Sequence, residues 1–114
     1  MTHIDLIRLI IVPDPRKWSK TQEIYRARAD PDNFPLIRAL IDQGFFDGDS
    51  SVQEPRIGGM TWKGLDLYNA TRLEGVRIRL TFRIGSTNNI DAIHSHAIAI
   101  HAAHGEKWNR RSKY

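Results

Sequence analysis

Guanidinium groups are the side chains in this 114-residue chain whose spacing could do chemistry. Arg77, Arg79 and Arg83 lie in VRIRLTFRI, residues 76–84, where they and Thr81 alternate with apolar residues. Each guanidinium presents a planar fork of donors that fits phosphate or carboxylate. A row of them is therefore a surface for an anionic partner. A period of two predicts a β-strand with its apolar face inward and its arginines outward. Lys107, Arg110, Arg111 and Lys113 near the carboxyl end could extend the same positive surface. Two other uses fit the pattern equally: a solvated outer face on which arginine stems cover apolar surface, and protection of an edge strand from aggregation.

The remaining reactive side chains point to no catalytic or metal chemistry. His94, His101 and His104 could share one side of a helix, and His94 with His96 would share one face of a strand, but neither spacing is specific to zinc. Because Ile90, Ile93 and Ala97 occupy the same arc, the histidines read as partly buried or interface residues able to titrate near neutral pH. There is no cysteine, no glycine-rich phosphate loop, no nucleophile elbow and no HExxH. Asp30, Asp32, Asp47 and Asp49 sit in turn-forming stretches, where carboxylates stabilise local backbone. The chain is expected to be a non-enzyme that takes no metal or cofactor. Trp18, Trp62 and Trp108 read as core or interface anchors.

Charge is unevenly spread. Residues 1–71 carry 9 basic and 10 acidic side chains, a net of −1, whereas residues 72–114 carry 8 and 3, a net of +5. A composition that is 40% hydrophobic and 26% charged is that of a soluble globular domain, and the length suits a single one. No apolar run approaches the ~20 residues that span a bilayer. With no secretory signal pattern, a cytoplasmic protein with no membrane partner is expected.

The elements that must position these side chains follow from periodicity. IDLIRLIIV, residues 4–12, predicts a largely buried helix stopped by Pro13 and Pro15. Residues 18–28 are open between helix and strand, with a helical start and an extended end favoured. Residues 35–43 predict a helix with Leu36, Ile37, Leu40 and Ile41 on one face, Arg38 pairing with Asp42 on the other, and Gly44 as its stop. Phe45 and Phe46 open a hairpin whose return strand lies near Arg56–Met60. Thr61 caps a further helix with Trp62, Leu65, Tyr68 and Leu73 toward one side, and Gly64 marks a close backbone approach. After the strand at 76–84, residues 90–105 predict a helix with Ile90, Ile93, Ala97 and Ile100 as its stripe and Gly105 as its end.

Helix, uncertain element, helix, hairpin and helix over residues 4–73 is the order of a winged-helix domain. GMTWKGLDLYNATR resembles the signature of a family of small bacterial and phage proteins in which Leu-Thr-Trp-Glu-Gly-His follows the wing. LIRALIDQGFFDGD and IDLIRLI resemble that family's wing-leading helix and its first helix. Here Met60, Lys63 and Leu65 replace the leucine, acid and histidine of the pattern. The resemblance stops near Leu73. The expected architecture is α+β: one domain, with a winged-helix-like core at 4–73, an added C-terminal strand and helix at 74–105, and a basic tail at 106–114.

That resemblance implies DNA binding. On the helix that would enter the major groove, however, only Arg38, Ala39, Asp42 and Gln43 are expected to face outward, and the wing adds Arg56. Two functions are therefore expected. The first is a dimeric DNA-binding or regulatory protein that places Arg38, Gln43 and Arg56 near double-stranded DNA, with Arg77, Arg79, Arg83, Lys107, Arg110 and Arg111 on phosphate. The second is a phage-type adaptor or inhibitor that binds an acidic protein surface, for example to block a CRISPR effector.

Overall fold

The structure is a computed structural model that describes the backbone of residues 2–112 and the side chains of residues 2–103. It is an α+β arrangement: α1 (His3–Ile10), α2 (Thr21–Ala29), α3 (Phe34–Asp42), β1 (Phe46–Asp49), β2 (Arg56–Met60), α4 (Trp62–Ala70), α5 (Glu74–Ile84) and α6 (Ile90–Ser112). Single 3-10 turns at Pro15–Lys17 and Pro31–Asn33 flank α2.

Helix α1 begins with a reciprocal cap, in which Thr2 Oγ1 accepts from the Asp5 amide and the Asp5 carboxylate accepts from Thr2. Ile4, Ile7 and Ile10 bury its inner face, and Ile11 and Val12 follow them into the core before Pro13. Residues 21–29 form helix α2 throughout, so the extended end favoured for residues 18–28 is corrected. Ile24 is buried there, and Arg28, one turn on, donates to the Ile10 and Val12 carbonyls at 2.7–3.0 Å. Those carbonyls are left without helical partners when proline ends α1. The described sheet pairs only β1 (Phe46–Asp49) with β2 (Arg56–Met60), so a strand here would have no ladder to join, whereas a helix satisfies its own backbone groups.

Helix α3 buries Leu36, Ile37 and Leu40 and ends at Gly44, whose φ of 88° suits glycine. The Phe45 amide then returns to the Leu40 carbonyl at 2.8 Å, placing Phe45 and Phe46 in the core at the start of the hairpin. The strands pair antiparallel with Phe46 opposite Met60 and Asp49 opposite Arg56, with a bulge between Phe46 and Gly48. The return strand matches the sequence expectation, whereas Asp47 and Asp49, expected in a turn-forming stretch, lie on β1.

Thr61 caps α4 by accepting from the Gly64 amide at 3.1 Å. The buried face of α4 is Gly64, Leu67 and Ala70, not the side holding Trp62, Leu65, Tyr68 and Leu73. Gly64 decides this orientation. A Cβ there would lie 2.1 Å from the Phe45 carbonyl oxygen, so the helix backbone rests directly on the hairpin's first residue. Trp62, two residues earlier on the helix, is thereby turned out to solvent at 87% exposure.

The strand expected at 76–84 is helix α5. Alternation over nine residues also contains a helical series: Val76 and Leu80 are fully buried, Ile84 is partly buried, and all three are four residues apart. Ile78 and Phe82 fall on the opposite face and are exposed. The described sheet has only two strands, and α5 is flanked by α1 and α6, so a strand here would have no ladder to join. A helix satisfies its own backbone groups without one. The added C-terminal unit is accordingly two helices. Gly85, with φ of 69°, ends α5.

Helix α6 buries the expected stripe of Ile90, Ile93, Ala97 and Ile100. Its backbone continues through Gly105 to Ser112, so Gly105 is not its stop. A mid-helix glycine costs about 1 kcal/mol relative to alanine, which is not enough to end a helix.

Candidate functional site

Side chains expected to meet DNA on α3 are half-buried and hydrogen-bonded to their own chain. Arg38 does not pair with Asp42. Its guanidinium donates to the Val52 and Gln53 carbonyls in the hairpin loop, at 3.2 and 2.5 Å. Asp42 instead accepts from Ser50 Oγ on the same loop. Gln43 bridges to α6, donating to the Asn88 carbonyl and accepting from the Asp91 amide, each at 3.0 Å. Lys63 completes that junction by donating to the Gln43 carbonyl at 2.8 Å, pairing with Asp91, and lying 4.6 Å from the Phe45 ring centroid. The open face of α3 is thus covered by the hairpin loop at one end and by the start of α6 at the other.

Arginine serves repeatedly here as a clamp on carbonyls at helix ends. Arg77 donates to the Thr71 and Arg72 carbonyls at 2.9 and 2.7 Å and lies 3.6 Å from the Asp5 carboxylate. Arg8 donates to the Tyr68 carbonyl at 2.7 Å and to Thr71 Oγ1 at 3.1 Å, with its guanidinium over the Tyr68 ring. Burial pushes the pKa values of Arg8 and Arg28 below the usual guanidinium value. The sequence reading assigned Arg8 and Arg28 no role. The available signal was a set of helix ends followed by proline or a tight turn, with arginines close enough in the fold to reach them.

Arg56 is exposed on β2 opposite Asp49. The Asp49 carboxyl is held below its ordinary pKa by the Ser51 hydroxyl, then by the Ser51 amide, with Arg56 adding attraction. Arg79 and Arg83 are exposed and in no salt bridge among the described residues. Arg77, Arg79 and Arg83 therefore do not form one outward row. Lys107, Arg110 and Arg111 lie on the last turns of α6, and their side chains, with Lys113, fall outside the described residues.

The histidines are likewise separated. His94 contacts the Asp66 carboxylate at 2.7 Å and sets its ring edge-on to Phe45. His3 lies 2.9 Å from the Thr87 carbonyl, and His96 is exposed. His101 lines a groove between α4 and α6, while His104 lies outside the described side chains. No group of three metal-ligating side chains occurs among the described residues, and no helix among them is long and apolar enough to cross a membrane.

Apolar side chains that the core does not use define two surfaces instead. Trp62 borders a groove of about 520 Å³ together with Pro13, Asp47, Met60, Thr61 and Leu65, beside the hairpin. On α5, Phe82 is 87% and Ile78 50% exposed. Both belong to a second groove, about 290 Å³, between α5 and the start of α1. Trp62 and Phe82 are more exposed than the other large apolar side chains among the described residues, of which Trp18, Tyr25, Ile78 and Ile98 are 45–50% exposed.

No family model, curated protein or solved structure matches this chain.

Proposed function

We propose that this chain is a small non-catalytic binding protein in which α1–α4 and the β1–β2 hairpin, within residues 4–73, make a winged-helix-like core. In this reading it docks another protein, as an adaptor or inhibitor, and does not read a DNA sequence. The observation that carries the reading is the commitment of Arg38 and Gln43 to their own chain alongside the outward exposure of Trp62. A good arginine–guanine pair discriminates by about 1–3 kcal/mol. Hydrogen bonds from a charged donor to a carbonyl are each worth about 1.5–3 kcal/mol. Freeing Arg38 for a base would break its contacts with the Val52 and Gln53 carbonyls, which offsets part of that gain.

Trp62 has the opposite balance. It contributes nothing to the core, and a tryptophan entering a partner's pocket is a typical interface anchor. Trp62→Ala is expected to leave folding within about 0.5 kcal/mol of wild type and to weaken partner binding by about 2 kcal/mol, roughly thirtyfold. Capture from a host extract with wild-type and variant chains, followed by calorimetry on the captured protein, checks both numbers. Equal affinity for the two chains would overturn the assignment.

A DNA-binding regulator is the second reading. The element order, the exposed Arg56 on the hairpin and the net +5 of residues 72–114 favour it. It would work mainly through phosphate contact, with little sequence readout.

A further inference from the structure

The outward face of α5 carries a pattern that its own fold does not explain. Gly75, Ile78 and Phe82 lie three and four residues apart, on the side of α5 away from buried Val76 and Leu80. This is the spacing of the first, fourth and eighth positions of a heptad seam. A Cβ on Gly75 would meet nothing within 4 Å, and its φ is not positive, so neither packing nor backbone geometry within the chain calls for glycine. Glycine is also a poor helix former. A close approach by a second helix at this point supplies the missing reason.

The charges beside the seam identify that helix. Glu74 immediately precedes Gly75 on one flank, and Arg79 immediately follows Ile78 on the other. Both are exposed, and neither is in a salt bridge among the described residues. In a parallel pair of helices, the residue before the first seam position of one chain meets the residue five places later on the other. Two copies of α5 packed in parallel about a twofold axis therefore bring Glu74 of each against Arg79 of its mate, twice. An antiparallel pair would set Arg79 against Arg79 and is disfavoured.

We infer that this chain self-associates through α5, with Gly75, Ile78 and Phe82 as the seam and Glu74–Arg79 as the reciprocal ion pairs. An anionic counterpart for Arg79, one of the arginines in VRIRLTFRI, is then supplied by a second copy. The groove between α1 and α5, which Phe82 borders, adds a wall to the contact; its Asp5 carboxylate already faces Arg77. A helix of 11 residues alone buries less than the roughly 1,200 Å² of a stable interface, so the association is concentration-dependent. This inference is independent of the Trp62 surface.

Sedimentation equilibrium on the full chain, from low to high micromolar concentration, tests it. Wild type is expected to dimerise, and Phe82→Ser to stay monomeric. Glu74→Arg and Arg79→Glu should each raise the dissociation constant by about tenfold or more, and the double swap should restore it to within about threefold of wild type. Circular dichroism on every variant separates loss of pairing from loss of α5. A wild-type chain that remains monomeric would overturn the inference, including one that uses this face for an acidic protein instead. So would a dimer indifferent to Phe82, or one that the double swap does not rescue.

Discussion

Gly64→Ala is expected to destabilise the protein by about 3 kcal/mol, at the upper end of ordinary overpacking. The added methyl would sit 2.1 Å from the Phe45 carbonyl oxygen, a backbone atom that cannot rotate away as a side chain would. Relief requires α4 to lift from the hairpin. That movement would strain the Thr61 cap and separate Lys63 from the Gln43 carbonyl, loosening the junction that seats α6. Against a total stability of about 5–15 kcal/mol, such a loss is readily measured by urea unfolding. A change below about 0.5 kcal/mol, the usual range of surface substitutions, would mean that α4 does not rest on Phe45.

The second large effect separates a helix from a strand at residues 76–84. If α5 is helical, Leu80→Ala removes a fully buried side chain and costs about 2–5 kcal/mol. Phe82→Ala removes an 87% exposed one and costs about 0.5 kcal/mol or less. A strand with an apolar inner face would bury both and make the phenylalanine the costlier loss. Guanidinium unfolding of the two variants, at concentrations where the chain is monomeric, reads the difference directly. Equal large losses would contradict the helix.

Much of the fold was legible in the sequence because local chemistry agreed with tertiary packing. Pro13 closed α1, Gly44 closed α3, and Phe45 through Met60 carried the turn residues and apolar ends of a hairpin. Gly64 was readable because a glycine inside a helix has a cost that packing must offset. The nine residues from Val76 misled because alternation of period two contains i,i+4 pairs, and only the absence of a neighbouring strand decides between the two readings. The buried face of α4 was not legible from its larger apolar residues because Gly64, whose missing side chain sets that face, adds nothing to a count of hydrophobicity.

The candidate site was less legible for a related reason. An arginine in a sequence carries no mark of whether it will meet a partner or a carbonyl of its own chain. Arg38 and Arg77 were expected to face a partner and instead donate to carbonyls of their own chain, while Arg79 and Arg83 stay exposed. What sorts them is the position of unsatisfied carbonyls in the hairpin loop and after α4, and these exist only once the fold is built.

The most direct measurement is a titration of duplex DNA with the full chain at low and at physiological salt, followed by fluorescence anisotropy. With Arg38 and Gln43 committed to their own backbone, the expected result is weak binding at low salt that disappears at physiological salt and does not vary with sequence. Tight binding to a particular duplex that persists at physiological salt, and is lost in Arg38→Ala without loss of stability, would contradict it.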